Sequence, residues 1–222
     1  MADQHAVPAA SRPAVAVAGS ALLFPVRRIF CVGRNYPEHA REMGATDLRA
    51  PPFFFTKPAD AVVASGSAVP YPPRTADLHH EVELVVALAG PREIFGYAVG
   101  NDLTRRDVQL KLKQEGRPWD TAKGFDHSAP VSAIARAADV GHPARGRIWL
   151  EVNGTLRQQG DIADMIWNIP EVLAELATWF ALQAGDLVFT GTPAGVGRLQ
   201  PGDRVRAGVD GVGLLEHTVT TA

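Results

Sequence analysis

The sequence has little cysteine, little excess charge and no long apolar run. Cys31 is the only cysteine among the 222 residues, which excludes an internal disulfide and fits a reducing compartment. The formal net charge of -2 gives no electrostatic basis for binding nucleic acid or a membrane surface. No segment is apolar for long enough to span a bilayer. We therefore expect no nucleic-acid partner, no membrane association and a cytoplasmic location.

The composition that is present favours a β-rich fold. Hydrophobic residues make up 46% of the chain, which supports a sizeable core, and 17 prolines with 21 glycines favour many turns over a helical bundle. We expect an α+β, β-rich fold with a few short helices. The start of the chain is rich in Ala and Pro, which predicts a flexible tail over 1–25 and a single catalytic domain over 26–222.

A half-buried strand is predicted over 79–89, and it carries the first chemical signal. The side chains of a strand alternate between its two faces, so four apolar residues share one face while Glu81 and Glu83 share the other. Two carboxylates side by side on an apolar strand repel each other and lose hydration, and a divalent cation commonly compensates for both costs. The alternative is a solvent-facing stripe on an edge strand.

A third carboxylate follows the next predicted strand, over 94–100. Asp102 lies at the end of this strand, just before a helix predicted to begin near Arg105 with Thr104 and Asp107 as a capping box. Asp102 could complete a cation site with the two glutamates of the preceding strand. Three carboxylates suit Mg²⁺ or Mn²⁺, with Ca²⁺ as a substitute, whereas the lack of a His or Cys cluster with ligand spacing disfavours zinc.

A short helix near the N-terminus is predicted to carry an imidazole–carboxylate pair. Pro37 can begin this helix and Gly44 can end it, and His39 and Glu42 are then three residues apart on one face. A carboxylate beside a histidine fixes its tautomer and raises its basicity. The polar sequence around this helix predicts a mobile lid over 34–50. The alternative is a solvated surface helix with an incidental ion pair.

Two lysines and a third predicted helix complete the local patterns of the sequence. Lys123, in a polar loop predicted over 116–130, is a candidate electrophilic cation, and an exposed surface lysine is the alternative. Lys57 is interpreted as a structural ion-pair partner at a strand end. Asn168 and Glu171 have the spacing of a capping box, and the apolar stripe that follows them predicts a helix that packs on the core.

Several separate motifs, in this order, resemble the fumarylacetoacetate hydrolase family, and in particular its short acylpyruvate hydrolases. They extend over nearly the whole chain from Ile29 onward. The matching segments are 33–36 with His39 and Glu42, 57–58, 80–84, 96–102, 106–109, Lys123 with 125–126, and 190–197. The segments 55–61 and 163–167 are most similar to fumarylpyruvate hydrolases.

This resemblance implies a mixed β-roll, a homodimer and one Mg²⁺ or Mn²⁺ ion. It implies that Glu81, Glu83 and Asp102 bind the ion, and that the helix with His39 and Glu42 closes over the substrate as a lid. Further residues are implied to contact the substrate, a small 2-oxo or 2,4-dioxo acid. Those at its keto-acid end are Arg106, Gln109, Lys123 and Thr192, and Arg34 is expected near its distal end.

The expected activity is hydrolysis of the C–C bond of a 3-acylpyruvate in aromatic-compound catabolism, with fumarylpyruvate as the favoured substrate. His39, oriented by Glu42, would activate a water, and Lys123 would stabilise the enolate leaving group. Decarboxylation of oxaloacetate or a related 2-oxo diacid, and a hydratase or isomerase activity, are the enzymatic alternatives. The alternative outside enzymes is a catalytically silent metal- or ligand-binding protein.

Overall fold

A computed structural model describes residues 6–8, 11–44 and 47–221 of the chain. The strands within these residues are β1 (Ala14–Ala16), β2 (Leu23–Pro25), β3 (Arg28–Gly33), β4 (Phe53–Lys57), β5 (Val62–Ala64), β6 (Ala68–Pro70), β7 (Leu78–His80), β8 (Val82–Gly90), β9 (Glu93–Asn101), β10 (Thr104–Arg105), β11 (Ala129–Val131), β12 (Ala135–Arg136), β13 (Arg147–Val152), β14 (Thr155–Asp161), β15 (Asp186–Phe189), β16 (Gly197–Leu199), β17 (Arg204–Val209) and β18 (Gly213–Thr220). The α-helices are α1 (Pro37–Glu42), α2 (Arg106–Gln114), α3 (Asp120–Lys123), α4 (Ala137–Val140) and α5 (Ile169–Trp179). None of the helices described here is long and apolar enough to cross a membrane.

The strands form a mixed, curled set of sheets. The largest has the order β4-β3-β15-β8-β9-β11-β5, with β12 beside β9, and contains both parallel and antiparallel pairs. A five-stranded sheet has the order β14-β13-β17-β18-β6, and β10-β7-β16 form a smaller one. The β-rich fold with few helices confirms the expected fold class.

Strand β8 lies at the centre of the core. Val82, Leu84, Val86 and Leu88 are fully buried in one apolar cluster, and Val85 and Ala87 are fully buried in a second cluster on the opposite face. The alternation predicted from sequence is therefore confirmed, but the prediction of a half-buried strand is wrong. Neighbours β15 and β9 flank β8, and the packing of other elements on both faces excludes water.

The continuous strand predicted over 79–89 is interrupted at Glu81. Before this residue β7 pairs with β10 and β16, and after it β8 pairs with β9 and β15. The chain changes sheets at Glu81, whose N–H donates to the side chain of Asn101 at 2.9 Å instead of joining a ladder. The break places the Glu81 carboxylate at a junction between sheets.

The predicted tail over 1–25 is wrong for part of its length. Strands β1 and β2 pair as an antiparallel hairpin, and Val15 and Phe24 are buried in the second apolar cluster. The Ala- and Pro-rich composition hid this hairpin because only three residues on each strand pair. Residues 1–5 and 9–10 of the predicted tail, and residues 45–46 of the predicted lid, lie outside the described residues.

Of the two capping boxes predicted from sequence, the one at α5 is present and the one at α2 is not. At α5, Asn168 accepts a hydrogen bond from the backbone of Glu171, whose side chain accepts one in return, so this capping box is confirmed. At α2 the predicted box is wrong, because Arg105 is the cap residue and Thr104 lies in β10. The polar loop predicted over 116–130 contains α3, which places Lys123 in the interior.

Candidate active site

Three buried carboxylates converge where β7, β8 and β9 meet. Glu81 lies at the junction of β7 and β8, Glu83 lies within β8, and Asp102 directly follows β9. The antiparallel register pairs Glu83 with Gly100, and the backbone N–H of Asp102 donates to the carbonyl of Glu81 at 2.8 Å. One carboxylate oxygen from each residue lies within 4.8 Å of the others. The predicted carboxylate triad is therefore assembled by strand pairing.

Buried cations surround two of the three carboxylates. The ammonium of Lys123 lies 2.8 Å from Glu81 Oε2, 2.7 Å from Asp102 Oδ2 and 2.6 Å from the hydroxyl of Thr104. Lys57 Nζ lies 2.8 Å from the other oxygen of Asp102 and is 2% exposed. Lys57 is thus an ion-pair partner, as the sequence suggested, while the alternative of an exposed Lys123 is wrong.

Helix α2 provides a third cation to the same site. Arg106, in its first turn, forms an ion pair with Glu81 through Nη2 and donates to Gln109 Oε1 at 2.6 Å through Nη1. Arg106 and Gln109 are both buried. This contact aligns α2 beside the carboxylates and holds the amide of Gln109 toward the same region.

The electrostatic environment shifts the pKa values of Glu81 and Glu83 in opposite directions. Burial alone would raise the pKa of Glu81, but the charges of Lys123 and Arg106 outweigh it and hold that pKa below its usual range. Burial raises the pKa of Glu83 well above its usual value, and the negative charges of Asp102 and Glu81 raise it further. Glu83 is therefore the carboxylate that most lacks a compensating positive charge.

The triad fits a hard divalent cation. Its three side chains offer only oxygen atoms, which Mg²⁺ and Mn²⁺ prefer, and they are close enough to share one ion. Among the described residues no Lys, Arg or His forms an ion pair with Glu83, whose Oε2 accepts only from the backbone N–H of Gly191 at 2.7 Å. A cation bound between the carboxylates would supply the charge that Glu83 lacks.

A cavity opens from the carboxylates to the surface and passes under α1. Its lining includes Val32, Gly33, Arg34, His39, Met43, Phe53, Phe55, Glu81, Glu83, Asp102, Arg106, Gln109, Leu110, Lys113, Trp119, Lys123 and Thr192. On α1, His39 Nδ1 lies 3.1 Å from Glu42 Oε2, and His39 is buried while Glu42 is exposed. The carboxylate of Glu42 thus contacts one ring nitrogen of a histidine that faces the same cavity as the triad.

A buried amide on β14 links the carboxylate-bearing strands to the 190–193 segment. Gln158 Nε2 donates to the hydroxyl of Thr192 at 2.8 Å and to the carbonyl of Pro193 at 2.9 Å. Its Oε1 accepts from the backbone N–H of Val82 at 3.1 Å and from His80 Nδ1 at 2.8 Å. Burial lowers the pKa of His80 to about 4, so its imidazole is neutral at pH 7. Gln158 thereby orients Thr192 at the cavity.

We expect Gln158→Leu to lower the free energy of unfolding by about 3 kcal/mol or more, because it leaves several buried polar groups without partners. The neighbouring Gln159 is exposed, so Gln159→Leu should change that free energy by only about 0.5 kcal/mol. Urea denaturation of both variants measures the difference. Equal stability of the two variants would contradict the bridging role of Gln158.

The structure brings nearly all the predicted site residues to one cavity. All of them line it except Glu42, which reaches it through His39; they are Arg34, His39, Glu81, Glu83, Asp102, Arg106, Gln109, Lys123 and Thr192. Sequence reasoning missed Thr104 and Gln158. It assigned Thr104 to a helix cap, and Gln158 follows a predicted hairpin turn with no motif to mark it. Whether the 34–50 segment moves as a lid stays a prediction.

Comparison with known proteins agrees with this geometry. A profile of the fumarylacetoacetate (FAA) hydrolase C-terminal family matches residues 28–220. The mitochondrial oxaloacetate tautomerase of Mus musculus is 43% identical over 203 residues, covering 87% of this chain and 91% of that protein. A fumarylpyruvate hydrolase from a Ralstonia species is 42% identical over 180 residues, covering 77% of this chain and 93% of that protein.

A solved structure extends the similarity to the whole fold. The crystal structure of fumarylpyruvate hydrolase from Pseudomonas aeruginosa, in complex with Mn²⁺ and pyruvate, has a TM-score of 0.94 and 45% identity. The match covers 98% of this chain and all of the neighbour. The members named among these relatives are enzymes, either hydrolases or tautomerases. With its carboxylate triad, its buried cations and a family match over 28–220, the chain belongs to the fumarylacetoacetate hydrolase family.

Proposed function

We propose that this protein is a metal-dependent hydrolase that cleaves fumarylpyruvate to fumarate and pyruvate in aromatic-compound catabolism. The observation that carries the proposal is the cavity that the carboxylate triad shares with the His39–Glu42 pair, which combines a cation site with a base. The Pseudomonas aeruginosa neighbour supports the choice of substrate, since it is a fumarylpyruvate hydrolase described with Mn²⁺ and pyruvate.

Glu81, Glu83 and Asp102 would hold Mg²⁺ or Mn²⁺, and Ca²⁺ could substitute because it has the same preference for oxygen ligands. When bound, such a cation supplies positive charge that polarises the oxygens of the substrate and stabilises a developing enolate. The ion pairs of Lys123 and Arg106 keep Glu81 ionised and oriented, so it would be ready to accept that cation.

His39 is the base that we assign to the attacking water. Its Nδ1 contacts Glu42, which leaves Nε2 as the ring nitrogen that takes the proton. Water adds to the acyl carbonyl carbon, and the bond from that carbon to the methylene of pyruvate then breaks. The acyl group leaves as a carboxylate, and the enolate of pyruvate takes up one proton to give pyruvate.

Other residues of the cavity bind and orient the substrate. Lys123, already within hydrogen-bond distance of Thr104, would donate to an oxygen of the enolate as its charge develops. Arg106 and Gln109 from α2, and Thr192 held by Gln158, would contact the keto-acid end. Arg34 would contact the distal end of the acyl group.

A tautomerase of oxaloacetate is the second candidate. The Mus musculus relative with that name is as similar in sequence as the Ralstonia fumarylpyruvate hydrolase. The same residues would then move a proton between carbon and oxygen of a 2-oxo diacid without an attacking water. A tautomerase is one kind of isomerase, so this candidate retains the isomerase alternative. Decarboxylation of oxaloacetate, a hydratase activity and a silent binding protein are less favoured, because none of the relatives named above is described as one.

The test is release of pyruvate from fumarylpyruvate with Mg²⁺ or Mn²⁺, with an EDTA control and a parallel assay of oxaloacetate. We expect metal-dependent formation of pyruvate and fumarate in equal amounts. Enol–keto conversion of oxaloacetate without hydrolysis of fumarylpyruvate would replace the hydrolase with the tautomerase, and release of CO₂ from oxaloacetate would indicate decarboxylation. The homodimer and the cytoplasmic location stay predictions.

A further inference from the structure

The charges that line the cavity change with depth. Its carboxylates are all on the floor, where Arg106 and Lys123 form ion pairs with Glu81 and Lys123 also pairs with Asp102. Two further cations, Arg34 and Lys113, line the cavity away from this network. Within the described part of the chain, neither has a carboxylate within ion-pair distance, so the outer cavity carries uncompensated positive charge.

Helix α2 connects the floor of the cavity to its mouth. Arg106, Gln109 and Lys113 have the spacing i, i+3 and i+7, so they follow one face of the helix over about 10 Å. Arg106 is buried against the carboxylates, whereas Lys113 is exposed. Arg106 and Gln109 contact the keto-acid end of a substrate in the proposed function. The same face of α2 therefore also carries Lys113, about two helical turns farther out.

Lys113 reaches across the cavity mouth toward α1. Its ammonium lies 3.4 Å from the backbone carbonyl of Met43, the residue that caps α1. This is a long hydrogen bond to a neutral acceptor, and a carboxylate would make a shorter and stronger one. Lys113 is thus placed where the end of a substrate would emerge between the two helices.

Arg34 lines the cavity with an uncommon backbone conformation. Its φ of 58° lies in the left-handed region, which is uncommon for a residue with a side chain. The preceding Gly33 allows close approach of Phe53, because a Cβ there would lie 2.1 Å from that ring. The guanidinium of Arg34 lies 5.0 Å from the centroid of Phe53. This arrangement fixes a cation on the aromatic wall of the cavity.

The wall between the floor and these cations is aromatic. Phe53 and Trp119 contact each other edge to face, with centroids 5.4 Å apart, and the centroid of Phe55 lies 6.2 Å from that of Trp119. Flat apolar rings suit a flat, conjugated carbon chain. The cavity therefore offers cations at both ends and an apolar section between them.

We propose that Lys113 and Arg34 form the subsite for the distal carboxylate of a long diacid, and that they select such substrates over acyl groups without that charge. The inference rests on the proposed function, in which the keto-acid end binds at the floor. A seven-carbon diacid such as fumarylpyruvate spans this arrangement better than the four-carbon oxaloacetate. Acetylpyruvate, which ends in a methyl group, gains nothing from the two cations.

Binding of two matched ligands tests the subsite without any reaction. The pair is 2-oxoheptanedioate and 2-oxoheptanoate, which differ only in the distal carboxylate and lack the 4-oxo group needed for C–C cleavage. In the presence of Mn²⁺, calorimetry should show that the natural protein binds the diacid at least about tenfold more tightly. Lys113→Met should reduce this preference severalfold, and Lys113→Met with Arg34→Met should reduce it to within about twofold.

Lys111→Met is the matched control. Lys111 lies on the same helix, is exposed and does not line the cavity, so its variant should keep the full preference. Equal binding of the two acids by the natural protein, or a preference that survives in the double variant, would overturn the subsite. A protein that prefers the diacid but releases no pyruvate from fumarylpyruvate would keep the subsite and overturn the proposed hydrolysis.

Discussion

His39→Ala is expected to lower kcat/KM for fumarylpyruvate by about 10²- to 10⁴-fold, the usual contribution of a positioned base. The alanine removes the only imidazole among the described cavity residues and leaves Glu42 without a partner to orient. Steady-state kinetics at saturating Mn²⁺ measures the loss. Most of it should appear in kcat, because the proton is transferred only as the water attacks.

The metal site provides the control for this variant. His39 does not belong to the carboxylate triad, so the affinity for Mn²⁺ should remain within about threefold of the natural value. Glu42→Gln should have a smaller effect than His39→Ala, since it changes the orientation and basicity of the imidazole without removing it. Near-normal turnover by His39→Ala would show that another group activates the water.

Glu83→Gln is expected to remove metal binding and, with it, turnover. Loss of a group that only orients a metal ligand already costs about 10- to 100-fold in affinity, so loss of a ligand should cost at least about 100-fold. The amide has the same shape and can still accept from the N–H of Gly191. Titration with Mn²⁺, followed by electron paramagnetic resonance of the free ion, measures the change.

The same substitution should lower the affinity for Mn²⁺ without lowering the stability of the metal-free protein. Glu83 is buried beside Asp102 and Glu81 with no cation of its own among the described residues, and its replacement by a neutral amide relieves that repulsion. We expect the free energy of unfolding in EDTA to be unchanged or higher in Glu83→Gln. Glu93→Gln makes the same chemical change at an exposed position. It should alter neither the affinity for Mn²⁺ nor the free energy of unfolding in EDTA. A less stable metal-free protein, or unchanged Mn²⁺ affinity, would contradict this assignment.

Local sequence patterns determined the elements that carry the site. The period of two in β8 placed Val82 and Leu84 on one face and Glu83 on the other, because successive side chains of a strand alternate. The spacing of three between His39 and Glu42 placed them together on α1 for a similar reason. The capping box at Asn168 is equally local, since both of its hydrogen bonds join residues three positions apart.

Only the tertiary structure decided which groups neutralise and orient the site. Lys57 and Lys123 meet at Asp102 from separate elements, and Gln158 reaches Thr192 across 34 positions of sequence. The switch of sheets at Glu81 likewise depends on partners elsewhere in the chain. Periodicity and capping act within a few residues, so the sequence by itself determined the alternation of β8 and the pairing of His39 with Glu42 on α1. Contacts between distant residues form only when the sheets pack, so the cation network, the Gln158 bridge and the buried hairpin of β1 and β2 depended on the fold.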